Sequence, residues 1–68
     1  MKVWVELTTG YERSISIDAN TIMVIDATNM GTLLHLHTGE DLRITVKESR
    51  EEVKRLIKEA YRKAKEEE

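Results

Sequence analysis

The sequence predicts an α+β fold: an antiparallel meander of about five strands, curled or barrel-like, with one C-terminal helix packed on it. Three observations predict it. Apolar and polar side chains alternate through most of residues 1–46, which is the period of a half-buried strand. The connections between the alternating runs are too short for the crossovers that parallel strands need. From residue 49 onward the apolar spacing changes to three and four, the period of an amphipathic helix.

The first strand is read from Val3, Val5 and Leu7, which alternate with Lys2, Trp4 and Glu6. Thr8-Thr9-Gly10 supplies turn chemistry, with the glycine free to take positive φ. The second strand places Tyr11, Arg13, Ile15 and Ile17 on one face and Glu12, Ser14 and Ser16 on the other. Asp18-Ala19-Asn20 breaks the pattern, and a single helical turn or tight corner is expected there. Ile22-Met23-Val24-Ile25 is a continuous apolar run, which reads as the central strand, buried on both sides. Asn29-Met30-Gly31 reads as a hairpin turn. The next strand places Leu34 and Leu36 on one face and Leu33, His35 and His37 on the other. After the Thr38–Asp41 turn, Leu42, Ile44 and Val46 alternate with Arg43, Thr45 and Lys47.

Ser49, with Glu52 three residues on, predicts a capping box at the helix start. Ser49 accepts from the Glu52 backbone N–H, and Glu52 reaches back to the N–H of Ser49. Val53, Leu56, Ile57, Ala60, Tyr61 and Ala64 form one apolar stripe, with Tyr61 at its rim. Glu51–Arg55 and Glu59–Lys63 are expected as i,i+4 pairs. Lys65-Glu66-Glu67-Glu68 is expected to fray, since acids sit badly at the negative end of the helix dipole. The expected core is Val3, Val5, Leu7, Ile15, Ile17, Ile22 or Ile25, Val24, Leu34, Leu36, Leu42, Ile44, Val46, Val53, Leu56, Ile57, Ala60 and Tyr61.

A chain of 68 residues has room for one domain, residues 1–68, with a thin stability margin. Cysteine, proline and phenylalanine are all absent, so no disulfide or cysteine–zinc site can form. Residues 1–46 carry three basic and six acidic side chains, net −3, and residues 47–68 carry eight and seven, net +1. Neither half is a basic field of the kind that neutralises phosphates, so nucleic-acid binding is disfavoured. No stretch approaches the roughly 20 apolar residues of a membrane span. The start of the chain has an acid by position 6 and no long apolar core, so it does not read as a signal peptide. The expected location is cytoplasmic, without membrane insertion.

Chemistry is sparse. The three glycines each fall in a turn, and no phosphate loop or nucleophile–base arrangement is present. Neither enzyme activity nor a catalytic or cofactor-binding residue is expected. No metal site is expected either. His35 and His37 are the only candidates, because residues two apart on a strand point the same way and could meet one ion. A third ligand would have to come from elsewhere, and the plainer reading is two polar residues on a half-exposed face. Trp4 is more informative. It lies opposite Val3, Val5 and Leu7, the helix-facing set, and Met23, Leu33 and His35 have claims to the same uncovered face. One helix cannot cover both faces of a sheet. Either the sheet curls to enclose this face or a second subunit covers it, so Trp4, Met23, Leu33 and His35 are the candidate interface and self-association is the expected partnership.

Several short stretches also carry a family likeness. These are Leu7-Thr8-Thr9-Gly10, then Ile22 and Ile25 followed by Asp26, then Thr32, Leu34, Leu36 and Gly39, and above all Val46-Lys47-Glu48-Ser49 with Glu52-Val53. On these residues the chain, over roughly positions 3 to 57, resembles the small FlbD/SwrD-like proteins of bacterial flagellar operons. It departs from their pattern at Tyr11, where the usual aromatic is displaced, at Asn29-Met30-Gly31-Thr32, and in a longer, more charged helix. The resemblance implies a cytoplasmic accessory of motility with no catalytic residues. The Ile-x-x-Ile strand is also similar to LytTR-type DNA-binding domains, against which the acidic strand half argues. The leading expectation is therefore a non-enzymatic protein-interaction domain. The alternatives are an engineered or self-assembling structural scaffold, suggested by the missing residue types and the regular Lys/Glu helix, and a LytTR-like DNA-binding module.

Overall fold

The fold was analysed in a computed structural model that describes residues 1–67. Its elements, in chain order, are β1 (Trp4–Thr8), β2 (Ser14–Asp18), a single 3₁₀ turn (Ala19–Thr21), β3 (Ile22–Thr28), β4 (Gly31–His37), β5 (Asp41–Val46) and α1 (Arg50–Glu66). The architecture is α+β with every strand pair antiparallel. The strands do not form one curled meander. They form a β1–β2 hairpin and a separate sheet of order β3–β4–β5, and no barrel is closed among the described residues.

The division falls at the corner after β2, and its cause is local. The Asp18 carboxylate accepts from the backbone N–H of Val3 at 3.1 Å and of Asn20 at 3.1 Å. The Thr21 hydroxyl donates to the Asp18 carbonyl at 2.7 Å. Ala19 N–H donates to Val3 O at 2.7 Å, so the 3₁₀ turn is tied to the start of β1. With its polar groups satisfied inside the corner, the chain leaves the hairpin, and β3 does not pair with β2.

β4, not β3, is the central strand of its sheet, and β3 lies at an edge. The unbroken apolar run in β3 has a different origin from burial on both sides. A bulge at Met23 shifts the register, so that Ile22 faces Leu36, Val24 faces His35 and Ile25 faces Leu34. Two isoleucines three apart thus pack on the core, which strict alternation would forbid. Val24 turns outward and is 44 % exposed, contrary to the core position expected for it. Leu42 is 48 % exposed because β5 is also an edge strand. Of the other expected strand positions, Val5, Leu7, Ile17, Leu34, Leu36 and Val46 are buried in one cluster with Val53 of the helix, and Ile15 and Ile44 are partly buried against it.

One joint links the two sheets to each other and to the helix. Thr9 and Val46 form an isolated antiparallel bridge, and Lys47 N–H donates to Thr8 O at 2.7 Å. The Glu48 carboxylate accepts from Thr8 N–H at 2.9 and 3.1 Å. The backbone carbonyl of Glu48 accepts from the hydroxyl of Thr32 at 2.6 Å, and Thr32 is the only polar residue fully buried among the described residues. Gly31 sits beneath the same segment with φ of +133°, a conformation side chains rarely adopt. A Cβ there would overlap the Val46 carbonyl oxygen.

Helix α1 starts as expected, with the Ser49 hydroxyl accepting from Glu52 N–H at 3.1 Å. The reciprocal half of the capping box is replaced: the Glu52 carboxylate pairs with Arg55 instead. Arg55 also reaches Glu59 at 3.0 Å, and Arg62 reaches Glu66 at 3.5 Å, so these pairs stand in place of Glu51–Arg55 and Glu59–Lys63. Val53 is fully buried, while Leu56, Ile57 and Ala60 pack partly buried on the core. Lys54 and Lys58 face solvent. The helix runs to Glu66 and Glu67 caps it; of the expected fraying segment, Glu68 lies outside the described residues. The first hairpin turn also differs from expectation, because the left-handed residue is Glu12, at φ 60°, and not Gly10.

The joint makes a sharp contrast between two glycines. Gly31→Ala should lower stability by about 3 kcal/mol or more through overlap with backbone and an unfavourable φ. Gly10→Ala, with open space around it, should change stability by less than about 1 kcal/mol. Thermal denaturation of the two variants beside the parent chain checks both values.

Candidate interaction surface

Pairing alternation decides which side chains reach solvent. On the hairpin, Val5 faces Ile17 and Leu7 faces Ile15 on the core side, while Trp4, Glu6, Ser16 and Asp18 point outward. Trp4 is 55 % exposed, and the Lys2 ammonium lies 5.5 Å from its ring centroid. The contact is of cation–π type, which is worth about 0.5–1 kcal/mol at an exposed site. Ser16 Oγ donates to the Glu6 carboxylate across the same face.

The outer face of β3–β4–β5 carries the other candidates. Leu33 and His35 are half-buried there, and Met23 is exposed at the bulge. Met23 and His35 help line a shallow hollow of about 140 Å³ with Val24, Leu42, Asp41 and Arg43. Leu33 is two residues along the same strand face. Trp4 does not join this group. It lines a different groove, of about 480 Å³, with Ile15 and Ile17 of β2, Leu36 of β4 and Ile44 of β5. The four expected interface residues therefore divide between two surfaces, because the sheet expected to present them together is two sheets.

His35 and His37 point to the same side of β4, as their spacing dictates. His35 stands opposite Arg43, a fixed cation that disfavours a metal ion beside it. His37 Nδ1 lies 3.7 Å from Asp41 Oδ1, and both side chains are exposed. No group of three or more histidine, cysteine or acidic side chains placed to hold a metal occurs among the described residues. Ser49 and Glu52, expected at the helix cap, stand at the joint end of α1 and serve the helix start and the Arg55 pairs. Tyr61, expected in the core, is instead 42 % exposed at the rim, where its hydroxyl donates to Asn20 Oδ1 at 2.7 Å.

Two features were missed from the sequence. One is the long gap between β2 and β5, which follows from the division into two sheets. The other is Asp18. Its carboxyl is held below the ordinary value of 3.8, first by the Val3 backbone N–H, against the opposing effect of burial, and further by Asn20 and by Lys2. The Asp-x-Asn spacing located the helical turn in the sequence but not the bond that ties Asp18 to Val3.

No protein-family model, no curated protein and no solved structure matches the chain. No helix among the described residues is long and apolar enough to cross a membrane.

A depressed carboxyl makes stability depend on acid. The folded state binds the Asp18 proton less readily than the unfolded chain, so the contribution is present at neutral pH and is lost as pH falls from the ordinary carboxylate range through the lower folded value. Asp18→Asn should therefore melt below the parent at pH 7, and the difference should narrow towards pH 2. Melting temperatures of both proteins across that range check the sign, and a constant difference would contradict it.

Proposed function

We propose that this domain is a non-enzymatic protein-interaction module of the cytoplasm that associates with itself. The observation that carries the reading is the outward placement of large apolar side chains on both sheets. Trp4, Met23, Val24 and Leu42 are all exposed, in a chain with few large apolar residues to spare for solvent. Single exposed apolar residues are common on soluble proteins, but a grouped set rimmed by polar ones marks a contact surface. Met23, Val24 and Leu42 are grouped in this way around His35, with Asp41 and Arg43 at the margin. A partner that buries them gains roughly 25 cal/mol for each Å² of apolar surface removed from water.

The more specific reading is an accessory of bacterial flagellar motility. Its support is the resemblance carried by Leu7-Thr8-Thr9-Gly10 and Val46-Lys47-Glu48-Ser49. The second of these stretches forms the joint between sheets and helix, so the likeness falls on residues with a definite structural task. A gene position inside a motility operon supports this reading, and a position away from any motility gene removes it.

Light scattering tests self-association. The parent chain should show a mass above the 7.9 kDa of one copy, and Met23→Glu should lower it towards that value, whereas Trp4→Glu, on the other surface, should leave it unchanged. A single-copy mass for all three proteins contradicts self-association.

A further inference from the structure

The two sheets share one core, but among the described residues their backbones pair at one end only, at the Thr9–Val46 bridge. Beyond it β2 and β5 are both edge strands, unpaired with each other. The gap between them is a long apolar groove. One part, of about 480 Å³, has Ile15, Ile17, Leu36 and Ile44 in its walls, and the next part, of about 700 Å³, shares Ile15 and Ile44 and runs on to Tyr11 and Met30.

The backbone at this gap is not satisfied by the fold. The bonds Thr9 N–H to Arg13 O and Ala19 N–H to Val3 O fix the phase of the β1–β2 ladder. Counting by twos between them, Ile15 and Ile17 bond inward to β1, and Ser14 and Ser16 turn their backbone groups to the gap. β3, the other edge of its sheet, is guarded by its bulge, and Arg50 Nε donates to the Ile25 carbonyl at 3.3 Å. Native edge strands are usually blunted by such devices. β2 has no counterpart of them.

Charge identifies the occupant. The strand half, residues 1–46, has a net charge of −3, yet its three basic residues, Lys2, Arg13 and Arg43, all line this gap. None of the three makes an ion pair among the described residues. Among the described residues Asp18 is the only acid in the walls, and its carboxylate is taken up by Val3 and Asn20. Gathering every cation of an acidic half around an apolar trough with a free strand edge favours an anionic, extended ligand.

We propose that the gap between β2 and β5 receives an extended acidic segment of a partner protein as an added strand. Backbone groups of the segment pair with the free edge of β2, its inward apolar side chains cover Ile15 and Ile44, and its carboxylates meet Arg13, Arg43 and Lys2. This is strand addition, in which main-chain bonds supply affinity and alternate side chains supply specificity. It rests on the interaction-module reading but is centred on the β2 edge, which adjoins the Met23–Val24–Leu42 face at Arg43.

The test is a titration of isotope-labelled protein with an eight-residue capped peptide of alternating valine and glutamate, and with its lysine counterpart, followed by amide NMR shifts. The glutamate peptide should shift the Ser14 and Ser16 amides, and the lysine peptide should bind about tenfold more weakly or not at all. Arg13→Glu/Arg43→Glu, both at exposed positions, should invert that preference. Equal binding of both peptides, or no shift at those amides with millimolar peptide, overturns the proposal. Shifts confined to Val24, Leu33 and His35 overturn it while leaving the module reading in place. Groove shifts that appear on raising the concentration of the protein alone assign the gap to a second copy and overturn it as well.

Discussion

The carboxylate of Glu48 on the backbone of Thr8 is the contact on which the rest of this structure depends. Among the described residues the backbones of the two sheets pair only at one isolated bridge, to which the Lys47–Thr8 bond belongs, so little else holds their edges together. Glu48 adds a charged acceptor to an N–H at the end of β1 that has no strand partner there. Bonds of this kind exceed neutral ones in strength. Its own carbonyl is fixed by the buried Thr32 hydroxyl, so a single residue touches the hairpin with its side chain and the three-stranded sheet with its backbone. The next residue, Ser49, starts the helix. Hairpin, sheet and helix are thus oriented by a few consecutive positions.

A fold held at one end opens at the other. Closing both ends would need β2 and β5 to pair, and the corner at Asp18 directs the chain away from that arrangement. The apolar residues at the opening are consequently only partly covered, Ile15 and Ile44 among them. A domain this small has little apolar surface to leave uncovered, since burial is the main favourable term in its stability. The open groove follows from that division of strands and the outward apolar set from the bulge in β3 and the edge position of β5, and both are surfaces on which a second chain gains what the fold leaves unburied.

Much of this was legible in the sequence, for identifiable reasons. Period-two alternation located β1, β4 and β5 and their inward residues, because a one-residue slip would expose Leu34 or Val46. The helix was legible from Ser49 and the stripe beginning at Val53. Three things were hidden. The bulge at Met23 reads in one dimension as a strand buried on both faces, since an extra residue erases the alternation that would show an exposed side. The break between sheets depends on where the Asp18 side chain bonds, not on any pattern of hydropathy. The left-handed residue of the first turn is Glu12 beside an available Gly10, a choice set by the Thr9 and Arg13 backbone bonds. The candidate surface was legible residue by residue, in Trp4 and Met23, but not as a surface: whether two outward side chains share a face depends on the pairing of strands distant in sequence.

Native-state hydrogen exchange at the Thr8 amide, in the parent chain and in Glu48→Ala, tests the role of the joint most directly. The Thr8 N–H should be protected in the parent although no strand partner covers it. In Glu48→Ala it should lose protection together with Lys47, while amides in the middle of β4 stay slow. Fast exchange of Thr8 in the parent, or an unchanged rate in the variant, would mean that something other than Glu48 holds the two sheets together.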